Sequence, residues 1–165
     1  MDRKSKNGFT LIELIVVMVI ISILATVAIV KYPVTSNRDL VNARSRLMKD
    51  IRIAQTAAIS QKFFCGVKFD LVANKYWLYT GNHAYSNIIT DPTNQQQYIV
   101  DLSGYGSVKL HVTDLAGEMV QFNQKGVPFD EGGKLTTEKS VTLIDAKSGN
   151  TTQIFVLPGT GLVKY

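Results

Sequence analysis

The sequence predicts an α+β protein: a long N-terminal α-helix, half membrane-spanning and half amphipathic, packed on a C-terminal antiparallel β-domain. Three observations carry this. Residues 9–30 read FTLIELIVVMVIISILATVAIV, broken only by Thr10, Glu13, Ser22 and Thr26. Residues 40–58 repeat apolar side chains at steps of three and four. From residue 63 on, the period becomes that of strands, with turn-forming stretches between the runs. At 165 residues and 45% apolar content, the chain has enough material for one ordinary domain plus a long helix.

The order of elements comes from local chemistry. Residues 1–8 form a short basic leader with Arg3, Lys4 and Lys6. Residues 9–30, at 1.5 Å per residue, give a helix of ~33 Å, which matches a hydrocarbon core of ~30 Å. A secretory signal would have a shorter apolar stretch and then a small-x-small cleavage site. Here the small residue, Gly8, precedes the apolar stretch, so any processing falls on the cytoplasmic side, where the basic leader is held, and the helix is kept.

Residues 31–62 are expected to continue as an amphipathic helix after a break. Pro33 removes a backbone donor and disfavours helix at Tyr32, and Ser36 or Asn37 can cap the second helix. Leu40, Ala43, Leu47, Ile51, Ala54 and Ala58 form the inward stripe, widened by Val41, Met48 and Ile59. Asn42, Arg46, Lys49, Arg52 and Gln55 are expected to face away, as a solvated face or one that meets acidic partners, lipid headgroups or neighbouring subunits.

Residues 63–165 form the β-domain. The runs 63–71 and 76–79 read as a hairpin joined at residues 72–75; 98–102, 108–112 and 119–122 read as further short strands. Runs 140–144 and 152–157 pair across Asp145-Ala146-Lys147-Ser148-Gly149-Asn150, a stretch rich in turn formers. Residues 79–97 are polar and read as a variable loop of the kind that carries function or disorder.

Composition narrows the function. The formal charge is +5, from 18 Lys/Arg against 13 Asp/Glu, with nine of the bases in the leader and in residues 38–62. The rest is close to neutral, so no globular nucleic-acid patch is implied. Cys65, the single cysteine, has no internal disulfide partner and reads as a small buried hydrophobe. His83 and His111 lack metal-ligand spacing, and Asp130-Glu131-Gly132-Gly133 reads as an exposed acidic turn in preference to a cation site. No phosphate loop or nucleophile elbow is present, so no catalytic residue, metal or cofactor is expected.

Glu13 is the anomaly of the apolar segment. An acid inside such a segment costs ~2.5 to 3.5 kcal/mol when central and needs a partner. Snorkelling at the membrane edge is one account. The other rests on cleavage after Gly8, which would put a new α-amino group on Phe9, one helical turn before Glu13 and a partner for it in the same helix or in a staggered neighbour.

The stretch Gly8-Phe9-Thr10-Leu11-Ile12-Glu13-Leu14, after a basic leader and before an apolar run, resembles the processing site of type IV prepilins and type II secretion pseudopilins. The resemblance implies cleavage between Gly8 and Phe9 by a prepilin peptidase, N-methylation of Phe9, and packing of the helices in the core of a fibre, with Glu13 in assembly. It also implies an inner-membrane assembly platform and other pilin or pseudopilin subunits as partners. The location implied is the bacterial cytoplasmic membrane, single-pass with the C-terminal domain outside the cytoplasm, and then the fibre.

The later chain is similar to minor pilins and pseudopilins of the GspH/FimT type. Phe122-Asn123-Gln124-Lys125-Gly126-Val127-Pro128 and Thr160-Gly161-Leu162 stand where that group has a Phe-to-Gly turn and a closing hairpin glycine. Some relatives bind DNA through arginines after the last glycine, whereas this chain has Leu162-Val163-Lys164, with one base. The function expected is thus a structural subunit that primes or tips a fibre. The alternatives are a fibre-displayed module for DNA uptake or secreted-substrate recognition, and an ordinary single-span anchored protein with no N-terminal processing.

Overall fold

The structure, a computed structural model, describes residues 10–30, 35–83 and 85–165, with side chains from residues 10–25, 38–83 and 85–165. The expected break at Tyr32 and Pro33 lies outside the described residues. The chain divides into two compact units, Met1–Thr35 and Ser36–Tyr165.

In the first unit, helix α1 covers Leu11–Val30, 20 residues. Thr10 opens it, because its carbonyl accepts from the N–H groups of Glu13 (3.1 Å) and Leu14 (3.3 Å) and its hydroxyl also accepts from Glu13 N. The Ser22 hydroxyl turns back onto Met18 O at 2.8 Å, so this polar side chain is satisfied inside the helix. Among the described residues no helix is long and apolar enough to cross a membrane; the part of α1 described with its side chains, residues 11–25, is ~22 Å long.

The second unit starts with α2, Thr35–Gln61. Its backbone is already helical at Thr35, so Ser36 and Asn37 fall in the first turn and the expected cap position is shifted. The stripe Leu40, Ala43, Leu47, Met48, Ile51, Ala54 and Ala58 is buried, as its spacing requires. Val41 and Ile59 are not part of it: they stay 46% and 49% exposed, because each lies one position round from the buried row.

Ten strands complete the unit. β1 (Cys65–Asp70), β2 (Lys75–Thr80), β3 (Ile99–Asp101), β5 (Met119–Phe122), β6 (Pro128–Asp130) and β7 (Gly133–Lys134) form one antiparallel sheet in the order β3-β2-β1-β5-β6-β7. β4 (Val108–Thr113), β8 (Lys139–Asp145), β9 (Thr151–Val156) and β10 (Val163–Lys164) form a second, ordered β10-β9-β8-β4. The β1–β2 hairpin pairs Val67 with Leu78 and Phe69 with Tyr76, all inward and buried, while Lys68 and Trp77 share the other face. The expected strand over 98–102 is shorter, since Leu102–Tyr105 coils into a 3-10 turn capped by the Asp101 carboxylate on Ser103 N. One core joins α2 to both sheets, with Leu47, Ile51, Leu78, Phe122, Leu143 and Ile154 among its members.

One side chain joins the sheets, and one segment folds over β2. Asn74, in the left-handed region at φ 56°, donates from its side-chain amide to Val108 O (3.0 Å) and accepts from Leu110 N (2.8 Å). One side chain thereby imitates a neighbouring strand on the free edge of β4 and satisfies two groups that an exposed edge would leave open. The segment 81–98, which holds most of the stretch 79–97 expected as a variable loop, folds back on β2: Tyr79 bridges Ile88, Thr90 bridges Gln97, and Leu78 N donates to Tyr98 O at 3.1 Å.

Candidate assembly surfaces

Gly8 and Phe9 lie outside the described residues. Glu13 sits in the first turn of α1, where the partial positive charge of the helix N-terminus favours an acid. Leu11, Ile12, Leu14 and Ile15 around it are exposed, and the same holds along α1 to Leu24 on every face. A helix that is apolar all round has no preferred inward side; it is stable when lipid or other helices surround it.

The second surface is α2 together with what it clamps. Asp50 is fully buried on the inward stripe. Its carboxylate accepts from the Tyr76 hydroxyl (2.7 Å), the Tyr98 hydroxyl (2.8 Å) and Arg46 Nε (3.0 Å), and Arg46 Nη2 donates to the Tyr98 oxygen at 3.0 Å. Burial pushes both phenols up, and the adjoining Asp50 adds to it, so Tyr98 reaches about 12. The Arg46 guanidinium is raised as well: burial opposes its charge, but the hydrogen bond and charge of Asp50 outweigh that. Arg46 therefore does not face away from the domain as its polarity suggests; it closes a buried network that ties α2 to β2 and to the end of the 81–98 segment.

Gln55 departs from the expected outward face in the same manner. Its Nε2 donates to Gly126 O (2.9 Å) and Thr160 O (2.8 Å). The two glycines singled out in the sequence thus converge on one helix side chain. Gly161 has φ +67°, and a Cβ there would stand 2.6 Å from Gln55 Nε2, 2.8 Å from Gly126 O and 2.8 Å from the Phe122 ring. Only a glycine lets the last turn approach the helix this closely. Next to it, Arg52 Nη2 donates to Val163 O at 2.9 Å, and the Arg44 guanidinium lies 3.8 Å from the Tyr165 ring centroid. The outer side of α2 near the C-terminus forms an open groove of about 670 Å³, lined by Ser45, Met48, Lys49, Ile53, Thr56 and Tyr165 among others.

The remaining sequence candidates separate. Cys65 is buried in β1, His83 lies in a turn and His111 is exposed on β4. Asp130 is not in an exposed acidic turn: it is buried, and its carboxylate accepts from Ala116 N (3.1 Å) and Gly132 N (2.9 Å), so it fastens a loop. Among the described residues no three His, Cys, Asp or Glu side chains converge to hold a metal ion. Lys164, the one base after Gly161, pairs with Glu138 at 2.9 Å and lies over the Phe155 ring. Sequence reasoning missed Asp50 and its tyrosines, although an acid one position before Ile51, with an arginine four residues earlier, is a legible signal.

Comparisons with known proteins agree with this geometry. Residues 3–29 match the model of the prokaryotic N-terminal methylation motif. The structure is similar to the type IV minor pilin FimU of Pseudomonas aeruginosa, with a TM-score of 0.56 at 17% identity over 80% of this chain and 91% of that one. A second crystal form of FimU gives 0.52 at 16% identity, over 76% and 90% of the two chains. The minor pseudopilin EpsH from the Type 2 Secretion System of Vibrio cholerae gives 0.54 at 9% identity, over 76% and 94%. No characterised protein matches by sequence. The chain thus joins the N-terminal methylation motif to an α+β fold similar to those of the minor pilin FimU and the minor pseudopilin EpsH.

Proposed function

We propose that the chain is a minor pilin or pseudopilin, a structural subunit without catalytic activity that enters a type IV pilus or a type II secretion pseudopilus and primes or tips its assembly. The single observation that carries this is the methylation motif on residues 3–29 ahead of a minor-pilin fold. Residues 1–8 are then the leader removed by a prepilin peptidase, Phe9 the methylated N-terminus, and residues 9–30 the segment held in the cytoplasmic membrane until an assembly platform draws it into the fibre. The apolar exposure of α1 on all faces supports both environments, since lipid and neighbouring helices are alike to it.

Glu13 acts in assembly by meeting the Phe9 ammonium. In a low-dielectric surround that charge-assisted contact fixes the axial position of one helix against another, which apolar packing alone leaves loosely specified. Lys164 is the single base after Gly161, and one cation gives little phosphate affinity, which supports a structural subunit over a DNA-binding one.

The test separates insertion from recruitment. Glu13→Leu raises the hydrophobicity of α1, so its membrane level should equal that of the wild type. Its recovery with sheared fibres or with co-purifying pilin subunits should fall by about tenfold or more, the value of one strong charge-assisted contact. Recovery at the wild-type level would reject the pairing.

A further inference from the structure

A cleft of about 410 Å³ opens on the face of the first sheet opposite the core. Strand alternation places its floor. Val67, Phe69, Tyr76 and Leu78 point into the core, so Asp70, Lys75 and Trp77 point outward; the register sets Trp77 beside Ile99, and Lys75 between Asp70 and Asp101. Tyr85 and Ile88, from the segment that folds back on β2, make the opposite wall. The walls are preformed. Trp77 Nε1 donates to Tyr85 O at 2.8 Å, and the Tyr85 ring stands edge-on to Tyr79 with centroids 5.2 Å apart and Lys68 Nζ 5.2 Å from its own.

Chemistry and spacing define the occupant. The wall is almost wholly carbon, and the indole N–H is already used, so a sugar or nucleotide would leave its polar groups without partners. An apolar side chain, flat against the indole, fits. One rim is charged. Lys75 Nζ pairs with Asp101 at 3.2 Å, while Asp70 accepts only from Ala73 N (2.8 Å), leaving its second oxygen unengaged among the described residues. Lys68, in the neighbouring row, is turned onto Gly117 O (2.6 Å), a glycine that Glu131 also approaches. Two acids against one base give the row Asp70-Lys75-Asp101 a net charge of −1. That charge complements a cation, and opposes anionic lipid headgroups and a second copy of the same face alike. The row lies two residues along the strand from Trp77, or ~7 Å, the separation of side chains i and i+2 on one face of an extended segment. We propose that this cleft docks an extended segment of another polypeptide, with an apolar side chain against Trp77 and an arginine or lysine two residues away over Asp70. The site lies wholly within Ser36–Tyr165, so it does not rest on the assembly role of α1.

The test uses the full chain, ¹⁵N-labelled, in zwitterionic detergent micelles, and reads the Nε1–H signal of Trp77, the only indole in the chain. Probes are the blocked tripeptides acetyl-Phe-Ser-Arg amide, its charge-reversed counterpart acetyl-Phe-Ser-Glu amide, and acetyl-Ser-Ser-Arg amide, which lacks the apolar side chain. The first should shift the indole and the Ile99 amide saturably, at about millimolar concentration for so small a ligand. The second should bind at least about threefold more weakly, the value of one exposed charge contact, and the third should give no saturable shift. Asp70→Asn, which keeps an acceptor for Ala73 N, should bring the first two probes to nearly equal strength. The ranking of the probes on the wild-type chain needs no variant, so a misfolded variant does not cost the experiment its answer. No saturable indole shift with the first probe would overturn the proposal, and so would equal binding of the first two by the wild type. Broadening of the indole signal by a doxyl-labelled lipid in the micelles would place acyl chains in the cleft and overturn it too.

Discussion

Asp50 decides more about the second unit than its sequence context announces. A fully buried carboxylate is tolerated because three donors converge on it, two phenols and a guanidinium, so its desolvation is offset within one network. Removing the acid while leaving its partners strands two hydroxyls and a half-buried cation. Asp50→Ala is therefore expected to lower unfolding stability by ~3–5 kcal/mol, and Asp50→Asn, which keeps an acceptor, by less. Denaturant unfolding followed by Trp77 fluorescence measures both; an alanine variant within ~1 kcal/mol of wild type would show that the network adds little. Gly161 and Gln55 make the same point about legibility. Both residues are visible in the sequence, but that one holds the other's turn against the helix is a contact between distant parts of the chain, and no local pattern reports it.

At the level of elements, α2 was legible and its rotation was not fully so. The three- and four-residue steps from Leu40 to Ala58 specify which row is inward, because burial on a helix tracks the 3.6-residue period directly. Polarity misassigned the flanks: Arg46 turns its polar head to the buried Asp50 and Gln55 to backbone carbonyls of the β-domain, while Val41 and Ile59 remain outside. The strands show the same division. The β1–β2 hairpin and the β8–β9 pair carry enough alternating apolar residues to be read directly. β6, β7 and β10, of three, two and two residues, each pair with the strand just before them across a short turn, but are too short to show an alternating apolar pattern. The row assignment for α2 gives a paired prediction. Ile51 is fully buried and Ile53, two positions on, is 36% exposed beside the outer groove. Ile51→Asp places a carboxylate without a partner in the core and should abolish the cooperative thermal transition, as its cost rivals the ~5–15 kcal/mol of a whole domain. Ile53→Asp should keep that transition within a few degrees of wild type. Equal melting of the two variants would mean that the helix presents another face to the sheets.

For the whole molecule, the two units divide the work by their surfaces. Ser36–Tyr165 closes its own core, with α2 buried against both sheets and edges covered by Asn74 and the 81–98 segment. α1 closes nothing: it displays its apolar residues all round and depends on surroundings from outside the chain. An isolated protein gains little from such an element, but a subunit that passes from a bilayer into a bundle of like helices uses it in both places. The motif to which we assign the chemistry of that change, Gly8-Phe9 and then Glu13, was readable in the sequence because leader charge, small residue, aromatic, acid and apolar length occupy fixed positions along one short stretch, which the methylation-motif model matches over residues 3–29.

Processing at that motif is the central claim, and the intact mass and N-terminal sequence of the chain isolated from the membranes of cells with an active prepilin peptidase test it most directly. The account predicts a chain that lacks residues 1–8 and begins at Phe9 carrying one added methyl group, with Gly8→Val retaining the leader. A wild-type chain that still begins at Met1, or one cut beyond residue 30 so that the apolar helix is lost, would contradict it.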